Sequence, residues 1–371
     1  MACALQMLIN TMKVKQCLTD QPDKDATMEC FSLQRTEVPA LIDHLRGFGE
    51  VIAPHHKGDV SYTFKPVQDP SDVVLDYNRT LLPLKKMFLP PVEKLMDFSL
   101  KDGTFTKNEV AIVPRVFFAI HSYEMQSILR LDHNMLNGNA ESNYLNRRKS
   151  SRFVGISFEP DEFHFSESVG IAIEEMEGFD LFLNKIDDDY QLYVLTPHGE
   201  ELIKGFGDLE TVETEIVEGR GFKKRIRYHY NRLPRVFENS YQSHVWEDVA
   251  NRCVSCGSCT LTCPTCFCFD VSDEVTVTAE DGTRQRNWDS CMLTNFAEVA
   301  GGENFREKTI NRTRHRLYRK FKYITDEQGL PWCVGCGRCT AFCPAGISMV
   351  DTVNELIQED EKAQYHKNTR G

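Results

Sequence analysis

Two copies of one cysteine spacing constrain this chain more than any other feature. Cys253, Cys256, Cys259 and Cys263, followed by Pro264, read C-x2-C-x2-C-x3-C-P. Cys333, Cys336, Cys339 and Cys343, followed by Pro344, repeat the pattern. Three thiolates on one tight loop can cap three iron corners of a cubane. The fourth points away along the following helix and completes the other cluster. The spacing therefore predicts two [4Fe–4S] clusters with exchanged fourth ligands. Cys253, Cys256, Cys259 and Cys343 serve one, and Cys333, Cys336, Cys339 and Cys263 the other. Gly257, Gly335 and Gly337 ease the passage of the backbone around sulfur. Paired C-x2-C motifs also build zinc ribbons, but zinc has no use for a third cysteine at this spacing and a fourth before proline.

The distribution of the other cysteines sets the chemical setting. Cys3, Cys17 and Cys30 lie near the start of the 371 residues, and the remaining eleven of the fourteen fall between Cys253 and Cys343. A secreted disulfide framework spreads its cysteines through a short chain. Clustering in a large acidic protein points instead to metal in a reducing cytoplasm. Cys266, Cys268 and Cys291 stand outside the doubled motif. They read either as ligands of a further cluster, needing a fourth ligand from elsewhere, or as buried thiols packed beside the clusters.

The net charge of −12 argues against a nucleic-acid binder that works through general electrostatics. No apolar run reaches the ~18 residues of a membrane span. The mildly apolar start, Met1 to Cys17, lacks a charged leader and a small-residue cleavage site. It reads as a short helix or a stretch upstream of the folded region, not as a secretion signal. No G-x-G-x-x-G follows a strand, and no P-loop, haem-attachment or H-E-x-x-H motif occurs, so no catalytic residue is assigned.

The pattern of apolar residues divides the chain into an α+β N-terminal domain, 1–245, and a mostly helical, ferredoxin-like dicluster domain, 246–371. An insert, 272–329, separates the two motifs. In the first part, 110–121 reads as a buried strand interrupted by Pro114, leading into a helix over 123–137. A strand over 153–158 follows, then a hairpin over 179–195 turning on Asp187 to Asp189, and a helix opening at Pro197. A shift from acidic residues, among them Glu213, Glu215 and Glu218, to the basic run 223–235, with Pro234, marks a domain joint. A helix from about 236 to 251, carrying Trp246, is predicted to deliver the chain to Cys253. The segment 305–322 holds eight Lys/Arg and one acidic residue, Glu307. It reads as a docking stripe for an acidic flavoprotein, as an offset to cluster charge, or as a solvated helix face.

The doubled motif stands with PTCFCFDV (264–271), RNWDSCM (286–292), AGGENFREK (300–308) and WCVGCGRC (332–339). Together they resemble the family of anaerobic sulfite reductase A subunits and sulfhydrogenase beta subunits. The resemblance is dense from about Tyr241 to the end. It continues more loosely through LRLD (129–132) and the hairpin, covering most of the chain after about residue 40. It implies an electron-transfer subunit of a hetero-oligomer. One partner would be a flavoprotein binding FAD and NAD(P)H, the other a catalytic redox subunit of hydrogenase, sulfite reductase or heterodisulfide-reductase type. The resemblance also implies a further [4Fe–4S] site in the N-terminal domain. The equivalent positions here are His121 or Tyr123, Phe158, His164 and Ser166, none a cysteine, so that cluster is expected to be absent. The alternatives to a relay are a scaffold with structural, redox-silent clusters and a catalytic subunit with a substrate site in its N-terminal domain.

Overall fold

The computed structural model describes residues 29–137, 139–214 and 221–369; the segment Met1 to Cys17 and the pair Glu215 and Glu218 lie outside them. The chain runs β1 (Glu29–Leu33), α1 (Val38–Leu45), β2 (Glu50–Lys57), β3 (Ser61–Pro66), β4 (Val92–Ser99), β5 (Thr104–Lys107) and β6 (Arg115–Ile120). Next come α2 (Ser122–Leu136), α3 (Ser142–Lys149), β7 (Ser151–Ile156), β8 (Leu181–Ile186), β9 (Asp189–Val194) and α4 (Pro197–Ile203). Beyond these lie α5 (Leu233–Asn239), α6 (Val245–Arg252), α7 (Ser258–Leu261), β10 (Phe269–Val275) and β11 (Asp281–Trp288). The last elements are α8 (Thr309–Tyr318), a π-helical turn (Arg319–Tyr323), α9 (Ile324–Gln328), α10 (Arg338–Ala341) and α11 (Met349–Asn368).

Two compact units result. The first takes the described residues of Met1–Phe88, Glu109–Glu159 and Ala172–Gly221; the second takes those of Leu89–Asn108, Pro160–Ile171 and Phe222–Gly371.

The first unit is built on a seven-stranded sheet in the order β1-β9-β8-β7-β6-β2-β3. Its middle strands β2, β6, β7 and β8 run parallel, and β9 and β3 close the parallel block with antiparallel partners. A parallel strand covered on both faces reads as an unbroken apolar run. Val116, Phe117, Phe118, Ala119 and Ile120 of β6 are all fully buried. Pro114 interrupts the apolar run in sequence because it precedes the strand; its carbonyl accepts the Glu50 N–H at 3.0 Å. The hairpin folds as read, with Ile186 paired to Asp189 across a two-residue turn and Asp187 left-handed at φ 53°.

Helix α2 follows β6 directly and buries Tyr123, Met125, Ile128 and Leu131. Its Asp132 receives Arg148 Nε at 2.9 Å and the Tyr144 hydroxyl at 2.6 Å. Both charges are largely buried, with side-chain exposures of 6% for Arg148 and 14% for Asp132. Removing one partner strands the other, so Asp132→Ala is expected to cost about 3–5 kcal/mol in denaturant unfolding. The double replacement Asp132→Leu, Arg148→Met should recover most of that loss. A single-variant cost below about 1 kcal/mol would show the pair to be solvated.

The second unit is not simply helical. Its four-stranded antiparallel sheet, β10-β11-β4-β5, takes one hairpin from between the cysteine motifs and one from 92–107. The insert therefore carries strands as well as α8. In β10 the apolar residues Phe269, Val271 and Val275 share one face but stay exposed, and Asp273 interrupts their alternation, while β11 is almost wholly polar; cross-strand pairs such as Arg284 with Asp273 at 2.7 Å set the register. The predicted helix 236–251 is two helices, α5 and α6. Between them the Ser240 carbonyl accepts the indole N–H of fully buried Trp246 at 2.6 Å. The Ser240 hydroxyl donates to Val236 O at 2.6 Å, so local side-chain bonding competes with a continuous helix. Pro234 sits in the first turn of α5, where proline is tolerated. Among the described residues, no helix is long and apolar enough to cross a membrane.

Candidate metal centre

The two motifs fold alike. Ser255 and Gly335, each the residue before the second cysteine, are left-handed at φ 55° and 64°. Gly257 and Gly337 follow at φ 76° and 74° and start the short helices α7 and α10. This double left-handed turn aims amides inward: Ser255 N–H donates to Cys253 Sγ and Gly335 N–H to Cys333 Sγ, each at 3.4 Å. The Ile347 N–H donates to Cys343 Sγ, also at 3.4 Å. Such bonds stabilise negative charge on sulfur.

The surroundings differ between the copies. Ser255 has room for its side chain, and its hydroxyl accepts from Arg312 at 3.1 Å. At Gly335 a Cβ would lie 2.4 Å from the backbone of Ser166, and at Gly337 one would lie 2.5 Å from Phe163 O. The stretch Pro160–Ile171 thus packs backbone to backbone on the second motif, with Phe165 N–H bonded to Gly335 O at 2.9 Å. Nothing in the motif itself announces this neighbour.

The thiols gather in two sets. Cys253, Cys256 and Cys259 line one cavity together with Cys343 and Cys339 of the other motif. Cys263 faces Cys333 and Cys336, near enough for its charge to raise both. Among the described residues no three His, Cys, Asp or Glu side chains converge on a point that one ion would occupy.

Burial drives these thiols away from the thiolate form that iron requires. It raises Cys259 and Cys336 to about 11 and Cys333 to about 12. Cationic side chains oppose it. Arg312, Arg316 and Lys320 are all buried, and their spacing of four puts them on one face as α8 passes into the π turn. Arg316 donates to Cys259 O at 3.1 Å, and its buried Nε has no hydrogen-bond partner among the described residues, leaving a donor for cluster sulfur. Lys320 Nζ donates to Thr265 Oγ1 at 2.6 Å and to Trp332 O at 3.2 Å, joining the PTCFC and WCVGC segments. Burial works against the charge of both cations, but the surrounding thiolates outweigh it and hold both firmly protonated. Arg338, fully buried in the second motif, lowers the neighbouring Cys336 in part. Of the three readings of the basic segment, charge offset is the one Arg316 and Lys320 support, whereas Arg312 is engaged by Ser255, Thr309 and the carbonyls of Arg306 and Glu307. The spacing 312, 316, 320 was the available signal.

Cys266, Cys268 and Cys291 lie beside this centre. Cys266 hydrogen-bonds Cys263, Cys268 pairs with Cys291, and Cys291 also feels Cys266. Cys30 is buried in β1 of the first unit.

The N-terminal positions carry no thiol and are filled by packing. In the first unit His121 stacks on Tyr77 at 3.9 Å and on Phe158 at 4.8 Å, and Nδ1 meets the Tyr123 hydroxyl at 2.8 Å. In the second unit His164 is fully buried and pairs with Asp161 at 2.9 Å. These residues do not fit an iron–sulfur cluster.

An all-thiol donor set, amides aimed at sulfur and buried counter-cations do fit one. Residues 252–347 match the 4Fe-4S dicluster domain family, so the chain is an iron–sulfur electron-transfer protein. It is 34% identical over 341 residues to sulfhydrogenase 2 subunit beta of Pyrococcus furiosus, a match spanning 89% of this chain and 98% of that relative. The chain belongs to the sulfhydrogenase beta-subunit family. No solved structure matches it.

Proposed function

We propose that the chain is a relay subunit holding two [4Fe–4S] clusters with crossed ligation. Cys253, Cys256, Cys259 and Cys343 would hold one, and Cys333, Cys336, Cys339 and Cys263 the other. The observation that supports this is the cavity in which three cysteines of the first motif meet Cys343, with Cys339 beside it, of the second. A bound cluster supplies one-electron redox chemistry. The chain's own residues deliver thiolates, aim amides at sulfur and hold Arg316 and Lys320 where added negative charge would develop. The name of the relative, a hydrogenase subunit, supports a hetero-oligomeric setting. In that setting the chain passes single electrons between a flavoprotein subunit that binds FAD and NAD(P)H and a catalytic redox subunit in the cytoplasm. No further cluster is held at the N-terminal positions.

Anaerobic reconstitution is expected to give about eight irons per chain. Dithionite should then produce two interacting EPR signals. Cys343→Ser should perturb the same signal as Cys253→Ser, and Cys263→Ser the same signal as Cys333→Ser. Grouping by motif would overturn the crossed ligation. Clusters that stay silent at biological potentials would leave a scaffold rather than a relay, and about twelve irons would overturn the two-cluster count.

A further inference from the structure

We propose that Cys268 and Cys291 form a redox-active dithiol that exchanges with small linear disulfides. Neither residue belongs to the doubled motif, so the proposal does not rest on the cluster assignment. The backbone brings them together. Phe269 pairs with Trp288 in the β10–β11 ladder, and Asp289 N–H extends it to Cys268 O at 3.0 Å. Cys268 is thereby fixed opposite Asp289, with Cys291 two residues beyond. The two side chains interact directly, and the Cys291 amide also donates to Cys268 sulfur.

The two thiols are unequal in the way exchange requires. Cys268 is half-buried and reachable, whereas Cys291 is only 8% exposed. The Cys291 contact, helped by Lys320 and Arg319, holds Cys268 below the ordinary thiol range, while the same contact and burial push Cys291 up. An accessible thiolate beside a buried protonated thiol is the arrangement of an attacking and a resolving cysteine.

The exchange balances within these residues and the substrate. The Cys268 thiolate attacks one sulfur of R–S–S–R, a Cys268–S–S–R bond forms, and the departing thiolate takes a proton from water. Cys291 then gives up its proton and attacks Cys268 sulfur. The Cys268–Cys291 bond forms, and the second R–S group leaves and takes that proton. The substrate disulfide is reduced by two electrons to two thiols, and the protein dithiol is oxidised to a disulfide.

The test uses the full chain, prepared anaerobically with its iron and treated with 2-hydroxyethyl disulfide. Acid quenching, alkylation and peptide mass mapping should then find residues 268 and 291 linked, with about two equivalents of small thiol released per chain. Cys291→Ser should stop at a mixed disulfide on Cys268 with about one equivalent released. Cys268→Ala should release none, and both variants should keep the wild-type iron content. The proposal is overturned if both residues of the wild-type chain stay alkylatable under excess disulfide. Iron lost from a variant that keeps the wild-type circular dichroism and unfolding midpoint would overturn it too, because the thiols would then be cluster ligands. The mapping on the wild-type chain decides the matter even where a variant folds poorly.

Discussion

Replacing Arg316 by methionine is expected to cost about 3–5 kcal/mol of stability in the iron-loaded protein, the usual cost of removing one partner from a buried charge pair. Methionine keeps the length, the apolar stem and the helix propensity, so the charge is what the substitution removes. The guanidinium is buried, donates to Cys259 O at 3.1 Å, and stands among Cys259, Cys339, Cys266 and Cys263. Without it Cys259 and Cys339 face each other uncompensated by Lys320, whose charge acts on Cys263 and Cys266. Iron should be released at lower denaturant, followed by loss of visible absorbance. The reduction potential of the retained clusters should fall, because an added electron is no longer opposed by a fixed cation; about 59 mV would mean a tenfold change in a one-electron equilibrium. Lysine at this position should restore the potential more than the stability, since it lacks the planar fork of donors. Unchanged iron retention and potential in the methionine variant would show that the cation has no part in holding the clusters.

Gly335→Ala is the second substitution expected to act strongly. The left-handed backbone costs a non-glycine residue roughly 1–2 kcal/mol. The added methyl would lie 2.4 Å from the nitrogen and Cα of Ser166, atoms of main chain that cannot rotate aside. Shifting packed backbone adds roughly 1–3 kcal/mol, so a total near 3 kcal/mol or more follows. The loss should fall on the cluster served by Cys333, and the amide of residue 335 that meets its sulfur should move. The equivalent position in the first motif is already serine at φ 55°. Gly335→Ser should therefore fail where Ser255 succeeds, although the two motifs share one spacing. If Gly335→Ser kept full iron, the contact with Ser166 would be too soft to matter.

What the sequence disclosed and what it hid have physical causes. The doubled motif was legible because its geometry is local: thiolate spacing, left-handed turn and proline stop all lie within a dozen residues. The parallel strands were legible as well, since Val116 to Ile120 bury both faces and admit no polar residue. The β10–β11 hairpin escaped because Asp273 breaks the alternation of Phe269, Val271 and Val275, and its partner strand, with Thr283 and Arg284, has no apolar period to match. The break between α5 and α6 escaped because it depends on where the indole of Trp246 finds an acceptor. The basic segment was visible as composition, but its direction was not. Arg312, Arg316 and Lys320 turn inward while Arg319 stays exposed; distant thiols surround Arg316 and Lys320, and Arg312 is taken by Ser255 and nearby carbonyls. The support of Gly335 by Ser166 joins residues far apart in sequence and had no local signature at all.

The second unit draws on Leu89–Asn108 and Pro160–Ile171 as well as Phe222–Gly371, and this bears on how the protein is made. During translation its early strands emerge long before their partners, so β4 waits for β11 through nearly two hundred residues of synthesis. Cys343, which shares a cavity with the first motif, is made eighty residues after Cys263. A fragment beginning at the first cysteine would lack both the strand that pairs β11 and the segment that seats Gly335. A cluster that takes ligands from both motifs would be loaded only once the second motif has been made, and such a fragment is not expected to hold the centre as a small independent module.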